Sequence, residues 1–201
     1  MAAKRPPVLL VHGILGQQHL YWNLFRHRLG EDGFAVHEFR APRYMFGDLR
    51  LASRELAKDI DTVLAKEGAA HLDLVCHSVG GLVARHYLQS RASRGKVGHL
   101  VMLGTPHRGT QLAALLSVAA PVARQASPGS AVLSELERRG IPGGVRVTNF
   151  WSPVDGIIVP GRNSRFEQEG VRNVKVMSHH WGYLFSRGIY TKVRNALLDQ
   201  K

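Results

Sequence analysis

The fold of this chain is decided by residues 74–82, which read Leu74-Val75-Cys76-His77-Ser78-Val79-Gly80-Gly81-Leu82. A short apolar run leads into a serine, and small residues then open an amphipathic stretch. This pattern predicts a strand, a tight turn with Ser78 at its apex, and a helix. Cys76 and Gly80, two residues to either side of the serine, are small, as so sharp a turn requires. The turn places the serine hydroxyl at the first turn of a helix, whose partial positive charge stabilises a developing anion.

The rest of the chain alternates short β-branched runs with longer amphipathic runs. Strands are expected at 8–12, 34–39, 72–76, 100–103, 145–150 and 174–177, and helices at 17–29, 48–66, 80–91 and 183–198. This alternation indicates βαβ units and an α/β fold with a mostly parallel sheet. We predict one domain over residues 1–201, with about six strands, helices on both faces and a small helical cap. Ligands of such sheets bind at the carboxyl ends of the strands.

Residues 111–144 break the alternation, because they are longer than a crossover between two strands needs. They are compatible with two ordinary packing helices. They are equally compatible with a cap or lid whose apolar face lines a substrate groove. In the second case, Leu112 and Leu116 are candidate substrate contacts.

The composition excludes several classes of protein. The chain has 201 residues, 44% of them hydrophobic, which is enough for a conventional core and argues against intrinsic disorder. Cys76 is the only cysteine, so an intramolecular disulfide is excluded. No stretch is long and apolar enough to span a bilayer, and no signal-peptide core precedes the first strand. As written, the chain is expected to be cytoplasmic or peripheral to a membrane, or secreted if a leader was removed.

The net charge of +12, with a pI near 10.5, is the unusual feature of the composition. The cations are dispersed rather than clustered; the densest groups are at 26–28, 91–96 and 138–139. This distribution favours a generally basic surface over a nucleic-acid site, and no nucleic-acid partner is predicted. Peripheral contact with an anionic membrane is an expectation. The oligomeric state is left open.

An acid and a base follow the late strands. Asp155 comes after the strand at 145–150, and the pair His179-His180 comes after the strand at 174–177. In nucleophilic catalysis, a histidine takes the serine proton, and a carboxylate holds the imidazole in the correct tautomer. Ser78, Asp155 and a histidine therefore have the residue types and the order that this chemistry needs.

Backbone donors for an oxyanion would complete such a site. The Val79 N–H, directly after the serine, is one candidate. The other should come from the loop after the first strand, which reads His12-Gly13-Ile14-Leu15-Gly16. The N–H of Ile14 is the natural donor, with Leu15 as the fallback, because the two glycines permit close backbone approach.

Five stretches resemble α/β-hydrolases of the lipase group, most of all the small bacterial triacylglycerol lipases and esterases. They are His12-Gly13, residues 77–82 followed by Arg85, and residues 103–109, 155–160 and 180–184. The stretches run in family order across nearly the whole chain. The departure is Cys76, which stands where the Gly-x-Ser-x-Gly pattern has its first glycine. The resemblance implies the α/β-hydrolase fold and a serine ester hydrolase that acts on lipid or acyl esters, without a cofactor.

The alignment of residues 182–186 with these lipases favours His180 over His179 as the base. His77 and His107 accompany the motifs and are expected to hold loops by hydrogen bonding. His77 and His107, with Leu15, are also candidate substrate contacts. No spacing of His and Cys residues indicates a metal site.

Two other functions remain open. The same triad could transfer acyl groups to an alcohol or cleave thioesters. The chain could also be a non-catalytic binding protein built on a hydrolase fold.

Overall fold

The computed structural model of the protein describes residues 5–14, 22–40, 45–115 and 120–199. Within these residues, six strands form one sheet in the order β2-β1-β3-β4-β5-β6, and every neighbouring pair is parallel. The strands are β1 (Val8–Val11), β2 (Val36–Glu38), β3 (Leu72–His77), β4 (Val97–Leu103), β5 (Arg146–Trp151) and β6 (Val171–Lys175). The predicted mostly parallel α/β sheet of about six strands is confirmed.

Helices cover both faces of this sheet. They are α1 (Asn23–Glu31), α2 (Leu49–Glu67), α3 (Val79–Leu88), α4 (Gln111–Leu115), α5 (Pro121–Gln125), α6 (Ala131–Arg139), α7 (Gly182–Phe185) and α8 (Arg187–Leu198). Leu74 and Cys76 on β3 point into one core with α2, α3, α5 and α6. Val75, between them, points into a second core with α1, α7 and α8. Side chains alternate across a strand, so one buried strand supplies both cores.

Local capping chemistry explains where several helices begin and end. Asp48 begins α2, where its carboxylate accepts a hydrogen bond from the Arg50 N–H at 2.7 Å. Gly68 ends the helix in the left-handed conformation, with a φ of 60°. The single closing helix predicted at 183–198 is two helices, because Ser186 ends α7 and caps α8 by accepting from the Ile189 N–H.

The last strand begins three residues and ends two residues earlier than the predicted 174–177. It runs over Val171–Lys175, and its side chains are exposed or half-buried because β6 is at the edge of the sheet. Polar residues such as Arg172 and Asn173 are tolerated there, so apolar patterning is a weak guide to such a strand.

Within residues 111–144, α5 and α6 are packing helices. Their apolar side chains lie in the same core as α2 and α3, for example Val122, Ala126 and Leu136. Gln125 on α5 also accepts a hydrogen bond from the Leu49 N–H at 2.8 Å. This part of the segment is therefore built into the core rather than held above it.

In the part of the chain that the structure describes, no helix combines the length and the apolar character needed to cross a membrane.

Candidate active site

Ser78 lies at a sharp turn between β3 and α3. Its backbone has a φ of 55° and a ψ of −133°, a conformation that residues other than glycine rarely adopt. The Ser78 N–H donates to the Leu103 carbonyl at 2.9 Å, which ties the turn to the neighbouring strand. The residues on either side, His77 and Val79, are buried, whereas Ser78 is partly exposed. The strained turn therefore presents this one side chain at the carboxyl edge of the sheet.

Two glycines let the first turn of α3 approach its neighbours. A Cβ on Gly80 would lie 2.7 Å from the Val11 carbonyl and 2.6 Å from that of His12. A Cβ on Gly81 would lie 2.9 Å from the Cβ of Thr105. Real Cβ atoms do not approach other atoms so closely, so both positions require glycine. The first contact brings the backbone at the end of β1, two residues before Ile14, against the first turn of α3.

Asp155 is held by its own loop after β5. The residue is 1% exposed, and Oδ1 accepts from the N–H groups of Ile157 at 3.1 Å and Ile158 at 2.8 Å. Ser152 supports the same loop, because its hydroxyl accepts from the N–H of Val154 and from that of Ser178 in the next loop, both at 3.2 Å. The two loops that follow β5 and β6 are therefore tied together.

His180 is bound to Asp155 twice. Its Nδ1 lies 2.9 Å from Oδ1 and 3.0 Å from Oδ2, and its backbone N–H donates to the Asp155 carbonyl at 2.8 Å. Because a carboxylate only accepts, Nδ1 carries the proton and Nε2 is left as an acceptor. The side chain of the adjacent His179 is exposed. Of the two histidines, the structure pairs His180 with the carboxylate.

His77 connects the turn at Ser78 to the loop of His180. It is fully buried, its Nε2 donates to the His180 carbonyl at 3.0 Å, and the two rings are 4.6 Å apart. Burial lowers the pKa of His77 well below its ordinary value, and the neighbouring His180 lowers it further. His77 is thus a neutral donor. Because it is the chain neighbour of Ser78, its hydrogen bond holds the turn at Ser78 against the loop of His180.

The predicted substrate contacts lie in different places. His77 has no exposed surface with which to touch a substrate, and His107 is 5% exposed and faces the interior. Leu112 is half-buried on α4. Leu15 and Leu116 lie outside the residues that the structure describes.

His107 belongs to a buried polar chain that sequence patterns did not indicate. Its Nδ1 accepts from Nη1 of Arg85 at 3.1 Å, so its Nε2 carries the proton and donates to Oδ1 of Asn149 at 3.1 Å. Asn149 then donates to Oδ1 of Asn173 at 2.9 Å. Burial, followed by the charge of Arg85, lowers the pKa of His107 well below its ordinary value. This series of hydrogen bonds links α3 to β5 and β6, the two strands that precede the loops of Asp155 and His180.

Gly104 is a further residue whose role shows only in the structure. It has a φ of 54°, and a Cβ there would lie 2.7 Å from the ring of Tyr183 and 3.1 Å from Oδ2 of Asp155. Its position just after β4, within the stretch 103–109, is the signal that could have pointed to it.

The described residues contain no group of three or more His, Cys, Asp or Glu side chains arranged to hold a metal ion. The groups available for chemistry are a serine at a helix N-terminus and an imidazole paired with a carboxylate, and His77, the neighbour of Ser78 in the chain, is hydrogen-bonded to the loop of that imidazole.

Part of this sequence is similar to the sequences of proteins named as lipases. The chain is 33% identical to the triacylglycerol lipase of Pseudarthrobacter phenanthrenivorans over 118 residues, which are 56% of this chain and 36% of that protein. It is 32% identical to lipase B of Pseudozyma antarctica over 124 residues, which are 59% of this chain and 36% of that protein. The chain therefore spans about a third of the length of the curated relatives it matches.

Solved structures match the fold over nearly the whole chain. The crystal structure of Aspergillus fumigatus lipase B superposes with a TM-score of 0.82 at 20% identity, covering 99% of this chain and 54% of the other. Mature Bacillus licheniformis lipase BlEst2 gives the same TM-score at 16% identity, covering 97% and 93%. The resemblance to small bacterial lipases and the α/β-hydrolase fold are thereby confirmed.

A family model described as a domain of unknown function, DUF7379, matches residues 1–124. This range includes β1 to β4, the turn at Ser78 and the loop of Ile14. The chain is therefore an α/β-hydrolase-fold member of the DUF7379 family.

Proposed function

We propose that this protein is a serine carboxylic-ester hydrolase, a lipase or esterase, that acts on lipid or acyl esters through an acyl-enzyme. The observation that carries the proposal is the hydrogen-bonded pair of Asp155 and His180, joined through His77 to a strained, partly exposed Ser78. The names of the relatives that the chain matches support the same class of reaction. The proposal treats residues 1–201 as one catalytic domain.

In the proposed reaction, Oγ of Ser78 attacks the acyl carbonyl carbon while Nε2 of His180 takes the hydroxyl proton. Asp155 keeps Nδ1 of His180 protonated and stabilises the imidazolium that forms. The imidazolium then protonates the leaving alkoxide, so an alcohol departs and an acyl-serine remains. Water repeats the sequence with His180 as base, which releases the carboxylic acid and restores Ser78.

The N–H groups of Ile14 and Val79 are the proposed oxyanion donors. Val79 is the first residue of α3, so its N–H has no partner within the helix, and the dipole of the helix favours negative charge at that end. Removal of one such donor lowers kcat by about 10²–10³-fold in serine hydrolases, so the close contact of Gly80 with the backbone of Val11 and His12 bears directly on the rate.

The decisive test is Ser78→Ala, assayed on a series of p-nitrophenyl esters of increasing acyl length. We expect a loss of at least about 10³-fold in kcat/KM and no labelling by a fluorophosphonate. Ser134→Ala is the matched control, because Ser134 is a serine on α6 outside the site. Retention of near-wild-type activity by Ser78→Ala would refute the assignment.

The alternatives are outcomes of related assays. Ester formation in the presence of an added alcohol, at the expense of hydrolysis, would identify an acyltransferase, and faster turnover of acyl thioesters would identify a thioesterase. Tight, salt-sensitive binding to duplex DNA without fluorophosphonate labelling would indicate a non-catalytic binding protein.

Contact with an anionic lipid surface forms part of the proposal. The loops that follow β5 and β6 and the helix α7 expose large apolar side chains next to Asp155 and His180, namely Val154, Ile157, Met177, Trp181 and Phe185. Combined with the net charge of +12, such a face favours a negatively charged interface. We expect activity on anionic vesicles to fall as ionic strength rises. Activity that is independent of ionic strength would count against contact with an anionic lipid surface.

A further inference from the structure

We propose that Thr110 is a positioning residue for Asp155, acting at the end of a strut that joins the helix of Ser78 to the acid loop. The strut comprises residues 105–110, and the acid loop comprises residues 155–159. This inference rests on the proposed function, because it assigns to Thr110 a part in the same reaction.

The strut is anchored on α3 at two points. Thr105 packs directly against Gly81, where the absence of a side chain leaves room for it. Two residues further on, His107 accepts a hydrogen bond from Arg85, which is 1% exposed. Arg85 in turn donates to the Leu136 carbonyl at 3.0 Å and lies 4.3 Å over the ring of Phe166. The first half of the strut is therefore attached to the helix that begins directly after Ser78.

The other end of the strut contacts the acid loop through the hydroxyl of Thr110, and the N–H of the next residue, Gln111, also donates to the Val159 carbonyl at 3.0 Å. Oγ1 of Thr110 donates to the Ile157 carbonyl at 2.7 Å and accepts from the Val159 N–H at 3.0 Å. These two bonds bracket Ile158, whose own N–H donates to the carboxylate of Asp155 at 2.8 Å. Because Thr110 is 6% exposed, water does not readily replace it.

The acid loop needs such a support because much of it is open to solvent. Ile157 is 41% exposed, and among the described residues no atom outside the chain neighbours of Gly156 lies within 4 Å of where its Cβ would be. The hydroxyl of Thr110 thus binds the peptide group between Ile157 and Ile158, whose N–H donates to Asp155, and also the peptide group that follows it. Asp155 in turn is hydrogen-bonded to His180. A displacement of about 1 Å at reacting groups lowers the rate on the order of 10²-fold, so loss of this remote hydroxyl is expected to lower the rate of the reaction.

The experiment compares Thr110→Val, which keeps the shape and removes both hydrogen bonds, with Thr110→Ser, which keeps the hydroxyl. Thr148→Val is the matched control, because Thr148 is 4% exposed and its hydroxyl bonds to Nε2 of His99 at 2.9 Å, away from the triad. Two readouts are taken: kcat and KM on a p-nitrophenyl ester, and the far-downfield proton resonance of Nδ1 of His180. The resonance requires no activity.

We expect Thr110→Val to lower kcat roughly 10- to 100-fold with KM changed by less than about twofold, and to shift or broaden the resonance. Thr110→Ser should restore both, and Thr148→Val should alter neither. If Thr110→Val does not fold, Thr110→Ala is measured in its place.

The proposal is overturned if Thr110→Val keeps the wild-type kcat and resonance. It is also overturned if Thr148→Val loses as much activity, since the loss is then one of general stability. If the wild-type protein cleaves no ester and takes no fluorophosphonate, the proposed function fails. The resonance in the Thr110 variants then still decides whether Thr110 positions Asp155.

Discussion

Asp73→Asn should stabilise the protein, increasingly so as the pH rises. Asp73 lies on β3 at the end of the sheet away from Ser78, is 1% exposed, and has no well-formed hydrogen bond to either carboxylate oxygen from the described residues. Burial raises its pKa from 3.8 to about 7, and the positive charge of Arg146 and the backbone N–H of His99 oppose the shift only in part. Above that pH, the folded protein carries a buried and poorly compensated charge.

The sign and size follow from proton linkage. Between pH 3.8 and about 7, the folded state holds a proton on Asp73 that the unfolded state has released, so the free energy of unfolding falls as the pH rises. The free energy of unfolding falls by about 1.4 kcal/mol per pH unit in this range, which is about 4 kcal/mol between pH 3.8 and pH 7. About 3 kcal/mol of that loss occurs between pH 5 and pH 7. Asparagine has nearly the same shape and no charge, so it removes this dependence.

The assay is urea denaturation of both proteins at pH 5, 6, 7 and 8, with the difference in the free energy of unfolding followed across the series. We expect the advantage of Asp73→Asn to grow by about 3 kcal/mol from pH 5 to pH 8 and to level off above pH 7. Asp61→Asn, at a side chain 57% exposed and paired with Lys96, is the control and should show no such growth. A difference that stays constant, or shrinks as the pH rises, would refute the reasoning.

Two further predictions concern the site. His180→Ala should lower kcat by at least about 10³-fold while His179→Ala stays within about threefold of wild type, and equal losses in steady-state ester hydrolysis would contradict the assignment of the base. Gly81→Ala should destabilise the protein by about 1–3 kcal/mol, because its methyl group meets Thr105 on the strut. Thermal unfolding measures this effect, with Gly143→Ala as the control, since no described atom outside its chain neighbours lies within 4 Å of its Cβ position.

Much of the fold could be predicted from local patterns. The alternation of strands and helices and the turn at Ser78 are properties of short stretches, and the structure contains both. The weakest predictions concerned β6, where the edge of the sheet tolerates polar residues, and the closing helix, which Ser186 divides in two.

Contacts between distant residues could not be predicted in this way. The sequence left residues 111–144 open between packing helices and a lid, and only the packing of α5 and α6 against α2 and α3 distinguishes the two for residues 121–139. Likewise, the sequence places Asp73 in a predicted strand, but only the structure shows that its carboxylate has no well-formed hydrogen bond from the described residues.

What the sequence by itself determined is which chemistry-bearing residues follow which strands, because parallel strands bring their carboxyl ends to one edge wherever βαβ units repeat. Ser78, Asp155 and the histidine pair could therefore be placed at one edge of the sheet from the order of the strands alone. The resemblance to lipases favoured His180 over His179, and the tertiary structure supplies the hydrogen bonds that pair His180 with Asp155. Tertiary structure alone showed that the hydroxyl of Thr110 is hydrogen-bonded to the loop of Asp155. The physical reason is that hydrogen bonds are settled within a few tenths of an ångström, and such distances depend on the packing of the whole sheet and its helices.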